Sequence, residues 1–172
     1  PRIRAALPEA HAYLVGQRPH PRLDALRAVP GVVITGAVPD TRPYLRAATV
    51  YVVPLRVGGG TRFKILEAAA TGRAIVSTTL GAEGFPNVEQ AVTLADDAVA
   101  FAEACITLAR DPALRQRRGA RAQAFVRAYD WDTLLPPLIA RLEGSAGQHF
   151  ESGYTEEDAR YGCTSSKDEN VR

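Results

Sequence analysis

The chain is poor in the residues that build metal centres and disulfide frameworks. Its 172 residues hold two cysteines, Cys105 and Cys163. Cys105 falls in an alanine-rich helical pattern and reads as a small buried hydrophobe, while Cys163 lies in a polar stretch; such usage fits a reducing compartment. No CxxC or HExxH segment occurs, and the three histidines, His11, His20 and His149, are scattered, which argues against a metal site. Long apolar runs are missing too, the longest being of the kind TVYVVPL, far short of a bilayer span. The opening PRIRAALPEA lacks the basic and apolar pattern of a signal peptide, and Pro1 is read as a position inside a longer parent chain. Charge of one sign is also lacking: 21 basic against 19 acidic side chains leave a net charge of +2, too little to hold nucleic acid by charge.

What is present is a core-forming chain, 46% hydrophobic, in which short apolar runs alternate with helical patterns. HAYLVG, VVITGAV, TVYVVPL, AIVSTT and VTLADD read as strands. TVYVVPL is apolar throughout, as expected for a strand covered on both faces. Between the strands lie a helix ending in PRIRAALPEA, a short helix over Arg22 to Ala28, one in PDTRPYLRAA, and TRFKILEAAATG closed by Gly72. Asp96 and Asp97 are candidates to cap the next helix. AVAFAEACITLARD and PALRQRRGARAQAFVRAY follow as helices, and DWDTLLPPLIARLE as a third that Pro136 and Pro137 disturb. The alternation predicts an open, mostly parallel sheet with helices on both faces, residues 1–144 forming one domain and 145–172 a polar, disordered tail. Right-handed crossovers place the strand ends on one edge, where such sheets bind ligands. Gly16, Gly36, Val57 to Thr61 and Ser77 to Gly81 all follow strands, so four turns are expected to converge there.

The third of these turns carries the most chemistry. In VGGGTRFKILE a strand runs into Gly58, Gly59 and Gly60 and then a helix opens. Glycines let a ligand approach the main chain, and a helix N-terminus offers unpaired N–H groups and partial positive charge, which together suit phosphate. Thr61 is expected to cap the helix. Arg62 and Lys64 put positive charge against the helix dipole, which a bound anion would offset. A plain tight turn is the competing reading. The spacing is neither a P-loop nor GxGxxG. Glu67 has apolar flanks, Ile65, Leu66 and Ala68 to Ala70, so partial shielding from water is expected, and its carboxylate can accept two hydroxyl hydrogen bonds. Ser77 to Thr79 are expected to shape the cleft floor. Glu83 reads as a surface acid, Asp40 as a turn or cap residue, and RQRRGAR as a solvated helix face.

VPDTRPYLRAATVYVVPLRVGGGTRFKILEAAATGRAIVSTTLGAEGF, with PEAHAYLVG before it and LADDAVAFAEACITLARDPALRQRRGARAQAFVRAYDW after it, resembles the C-terminal domain of the family 4 (group 1) glycosyltransferases. The resemblance spans roughly residues 1–143. It implies that residues 1–144 are a Rossmann-like domain, half of a GT-B enzyme: a retaining transferase that uses a nucleoside-diphosphate sugar with no metal or other cofactor. Backbone amides around Gly58, Gly59, Gly60, Thr61 and Arg62 would cradle the donor diphosphate, with Lys64 at its margin. Glu67 matches the second acid of the family's E-x7-E motif and would bind the ribose. The first acid of that motif falls on Gly59, so backbone contacts would take its place. Gly36, Ala37 and Val38 would meet the base, Gly16 matches a strand-end glycine, and Trp131 a late aromatic that packs in the core or between domains. The resemblance further implies a first strand and an N-terminal domain preceding Pro1, without which this chain is not expected to turn over. It also implies a cytoplasmic enzyme of glycan or envelope polysaccharide synthesis, peripheral to the inner face of the membrane where its acceptor is lipid-linked. A non-catalytic nucleotide-sugar-binding module, an epimerase of the same architecture and a purely structural α/β domain stand as alternatives.

Overall fold

The computed structural model describes residues 1–146. One unit runs from Pro1 to Leu134 and a second begins at Leu135. In the first unit the strand patterns all fold as strands, and every pairing is parallel. β1 (Ala12–Val15) pairs with β2 (Val32–Gly36), and β3 (Tyr51–Val53), β4 (Ile75–Ser77) and β5 (Val92–Leu94) form a second ladder in that order. The expected single sheet is therefore two parallel sheets, because no ladder joins β1 or β2 to β3. Periodicity marks a segment as a strand but does not choose its partner.

Helices occupy the crossovers. α1 (Arg2–Ala6) precedes β1, α2 (Arg42–Ala47) joins β2 to β3, and α3 (Phe63–Ala70) joins β3 to β4. α4 (Ala98–Arg110) and α5 (Pro112–Val126) follow β5. The Pro21–Ala28 connection is a 3-10 helix, in keeping with a proline-opened segment of weak amphipathicity. Gly72 takes φ +67° one residue past the cap of α3, the left-handed stop expected of it.

The strand covered on both faces is β4. Ile75 joins Val53, Ile65, Ala68, Ala69, Val92 and Ala122 on one side, and Val76 joins Ala74, Cys105 and Leu108 on the other. Ile75 and Val76 are fully enclosed, a burial that stabilises by about 1.5–3 kcal/mol per side chain. β3, expected to be that strand, buries Val53 but leaves Val52 45% exposed, because it is the edge of its ladder. Cys105 is the small buried hydrophobe anticipated, and burial pushes its thiol pKa up to about 11. α5 crosses the end of α3 at backbone distance: a Cβ on Gly119 would collide with the carbonyl of Gly72.

Of the two candidate caps, Asp97 alone caps α4, accepting from the amides of Val99 and Ala100 at 2.9 Å each. Asp96 instead accepts from the Thr79 amide and hydroxyl, both at 2.7 Å, and so ties β5 to the turn after β4. These bonds hold both carboxyls below the ordinary carboxylate range.

α6 (Trp131–Ala146) contains Pro136 and Pro137, the pair expected to disturb it. Each proline removes one amide donor and sets its ring against the carbonyl four residues back. Trp131 is 70% exposed, not a core residue. Ser145 and Ala146 close α6, and the rest of the expected tail, Cys163 included, lies outside the described residues. No described helix is long and apolar enough to cross a membrane.

Candidate functional site

The glycine turn lies where β3 ends and α3 begins. Its backbone needs glycine twice, since Gly58 has φ +148° and Gly60 φ +82°. Thr61 is exposed and makes no cap hydrogen bond; Arg62 occupies the cap position instead, and α3 starts at Phe63. The expected Thr61 cap is thus absent from the folded turn.

Arg62 is the organising residue. Its side chain is 6% exposed. Nε donates to the Leu80 carbonyl (3.0 Å), Nη1 to the carbonyls of Gly59 (2.8 Å) and Gly60 (3.1 Å), and Nη2 to the Gly58 carbonyl (3.0 Å) and the Glu83 carboxylate (3.3 Å). A guanidinium has five N–H donors, and these five acceptors take one each. A buried charge costs several kcal/mol unless it is compensated, and here four main-chain oxygens and one carboxylate do so. The sequence reading of Arg62 as a free positive charge facing an anion is corrected on this point: its side chain points into the turn and its donors are occupied. Only its amide is left for the role assigned to it. Glu83, read as a surface acid, is 65% exposed but anchors the loop after β4 to this guanidinium. The charge pattern gave no sign of the pair; the signal was an arginine two residues after three successive glycines, within reach of their carbonyls.

The outer side of the turn is main chain. Among the described residues, none accepts a hydrogen bond from the amides of Gly59, Gly60, Thr61, Arg62, Phe63 or Lys64. This is the group of unpaired donors that a helix start leaves. Lys64 lies exposed in the first turn of α3. Glu67 lies one turn further on and is also exposed; the expected shielding does not occur, because Ile65, Ala68 and Ala69 turn to the core and leave it on the opposite face. It lies close enough to the half-buried Tyr51 that burial first, and the Glu67 charge second, raise the phenol pKa.

The turn after β4 is tied to the end of β3. Ser77 Oγ donates to the Val53 carbonyl (3.2 Å) and Thr78 Oγ1 to that of Leu55 (2.5 Å), while Thr78 Oγ1 accepts from the Gly81 amide (2.9 Å). A cavity of about 410 Å³ opens at the same strand ends, with Pro54, Arg56, Thr78, Asp96 and Phe101 in its wall.

The remaining candidates belong to the other ladder. Gly36 closes β2 at φ +72°, and its carbonyl accepts from the Gly16 amide at 3.3 Å. Ala37 is exposed and Val38 half-buried. Asp40 is a turn residue as read, accepting from the amide and side chain of Arg42 at 2.9 Å each. Hydrogen bonds thus gather the four turns in two pairs: Gly16 with Gly36, and the glycine turn with the loop after β4. Among the described residues no group of histidine, cysteine or acidic side chains could hold a metal ion.

Residues 1–111 match the family model described as glycosyl transferases group 1. The chain is 29% identical over 161 residues to the phosphatidyl-myo-inositol mannosyltransferases of Mycobacterium tuberculosis (strain ATCC 25618 / H37Rv) and Mycobacterium bovis (strain ATCC BAA-935 / AF2122/97). In each case the alignment covers 86% of this chain and 42% of the relative, so the chain spans well under half the length of these proteins. With parallel strands flanked by helices and a glycine turn opening α3, the matched stretch identifies the chain as a member of the group 1 glycosyl transferases.

Proposed function

We propose that this chain is the donor-binding domain of a retaining, metal-independent glycosyltransferase that uses a nucleoside-diphosphate sugar. The observation that carries the reading is the row of unpaired amides from Gly59 to Lys64 at the start of α3. Such a row suits a diphosphate, and it would stabilise the charge that grows on the leaving group as the glycosidic bond breaks. Lys64 stands at the margin of that row. Glu67, exposed on the same helix, takes the ribose hydroxyls, and Gly36, Ala37 and Val38 take the base. Gly59 stands where many relatives carry an acid, so the donor is held there by main chain.

The matched relatives are named for transfer of mannose to phosphatidyl-myo-inositol. We extend to this chain the coarser form: a lipid-linked or glycan acceptor met at the inner face of the membrane by a cytoplasmic enzyme. An N-terminal domain carries the acceptor site and closes over the donor, excluding water. The chain by itself turns over no donor. The second reading, a binding module without transferase activity, draws its support from Gly59.

Calorimetric titration with UDP, GDP and ADP tests the proposal. One diphosphate binds, with a matching rise in melting temperature, and Glu67→Ala weakens it about tenfold, the worth of a lost charged hydrogen bond. Absence of binding by all three, with the chain folded, removes the donor-domain reading.

A further inference from the structure

We infer that Arg62 is the positioning residue of the diphosphate cradle, acting through the glycine main chain and not by contact with the ligand. The inference rests on the donor-binding reading above. Its basis is the geometry of three successive peptide units. The carbonyls of Gly58, Gly59 and Gly60 are all drawn onto one guanidinium, at 3.0, 2.8 and 3.1 Å. In a planar trans peptide the N–H points opposite to the C=O of the same unit. Fixing those three oxygens therefore turns the amides of Gly59, Gly60 and Thr61 away from Arg62, together, on the opposite side of the turn. Successive amides facing one way form an anion-binding concavity. Without the arginine the three glycines are free to rotate, and the entropy of ordering them falls on the ligand.

The other two donors extend the device. Nε holds the Leu80 carbonyl and Nη2 holds Glu83, so the loop after β4 is fixed to the same hub. The turn that would hold the leaving group and the floor beside it thus move as one piece.

Two accounts of Arg62, charge near a phosphate and fork for the main chain, separate in Arg62→Lys. Lysine keeps the charge but has three donors for five acceptors. The probes are inorganic pyrophosphate, the diphosphate of whichever base binds, and its free nucleoside, followed by 15N NMR on the whole chain. Arg62→Lys and Arg62→Gln both lose about tenfold or more in affinity for pyrophosphate and the nucleoside diphosphate, with the free nucleoside unaffected. The amides of Gly59, Gly60 and Thr61 lose their order in both variants. Near wild-type pyrophosphate affinity in Arg62→Lys, or an equal loss for the nucleoside, overturns the inference and leaves the donor-binding reading in place. If the wild-type chain binds no diphosphate, that reading fails, and the three amides decide on Arg62: unchanged order in the variants refutes it. Glu83→Ala, which removes one exposed acceptor, covers the case in which the Arg62 variants do not fold. It loosens the same amides and weakens pyrophosphate about two- to threefold, and no change in either counts against the inference.

Discussion

A positive charge at the start of a helix works against the helix dipole, by about 0.3–1 kcal/mol at an exposed site. Arg62 occupies that position, and read from sequence it invites an anion. In the folded chain five oxygens already satisfy it. The difference is one of side-chain direction, which residue type and spacing do not encode. Glu67 shows the same limit in reverse: apolar neighbours in sequence suggested shelter, yet helical geometry carries them to the core and leaves the carboxylate outside. Its closeness to Tyr51 supplies a local readout. Glu67→Gln lowers the Tyr51 phenol pKa, which stays above its ordinary value because burial is the larger cause. NMR titration of the Tyr51 ring checks this, and an unmoved Tyr51 would mean that the two groups do not interact. Gly58 and Gly60, by contrast, were legible as turn glycines, since positive φ leaves few other residues a place.

For the elements, end chemistry and close approach decide stability. Asp97→Ala removes the acceptor for two amides of α4 and costs about 1 kcal/mol in urea unfolding, the usual worth of an N-cap. Gly119→Ala drives a methyl group into the Gly72 carbonyl and costs about 1–3 kcal/mol or displaces α5, in spite of alanine's better helix propensity. A neutral or stabilised Gly119→Ala would show that the crossing of α5 over α3 gives way easily. The strands and most helices were legible because their apolar periods are distinct. α6 was legible as a helix from its apolar pattern, and Pro136 and Pro137 as the place where it loses amide bonds. β4 and not β3 is the strand covered on both faces for a topological reason: both contain apolar runs, and strand order makes one central and the other an edge.

Over the whole molecule, the parallel α/β class followed from the alternation of strands and helices, while the division into two ladders did not. Two ladders without shared hydrogen bonds imply two protection classes in amide exchange. Amides of β4, paired on both sides, exchange slowest, and those of β1 and β2 open at lower free energy. Equal protection across both ladders would show that they open as one. Acid stability is also set here, because Asp96 and Asp97 join β5 to its neighbours. Both carboxyls titrate lower in the folded than in the unfolded chain, so their contribution is complete above the ordinary value of 3.8 and is lost as pH falls through the depressed folded values. Melting temperature measured from pH 7 to pH 3 falls most steeply below about pH 4, and Asp96→Asn with Asp97→Asn flattens that fall.

The enclosed thiol of Cys105 makes the chain its own stopwatch. With a pKa of about 11, only about one molecule in a thousand carries the thiolate at pH 8, and that sulfur lies between β4 and α4, beyond reagent reach. In a Cys163→Ser background, the rate at which a thiol reagent is consumed then counts openings of the α4 face. Ligand held at the far end of β4 slows that count only if its binding is coupled to the core.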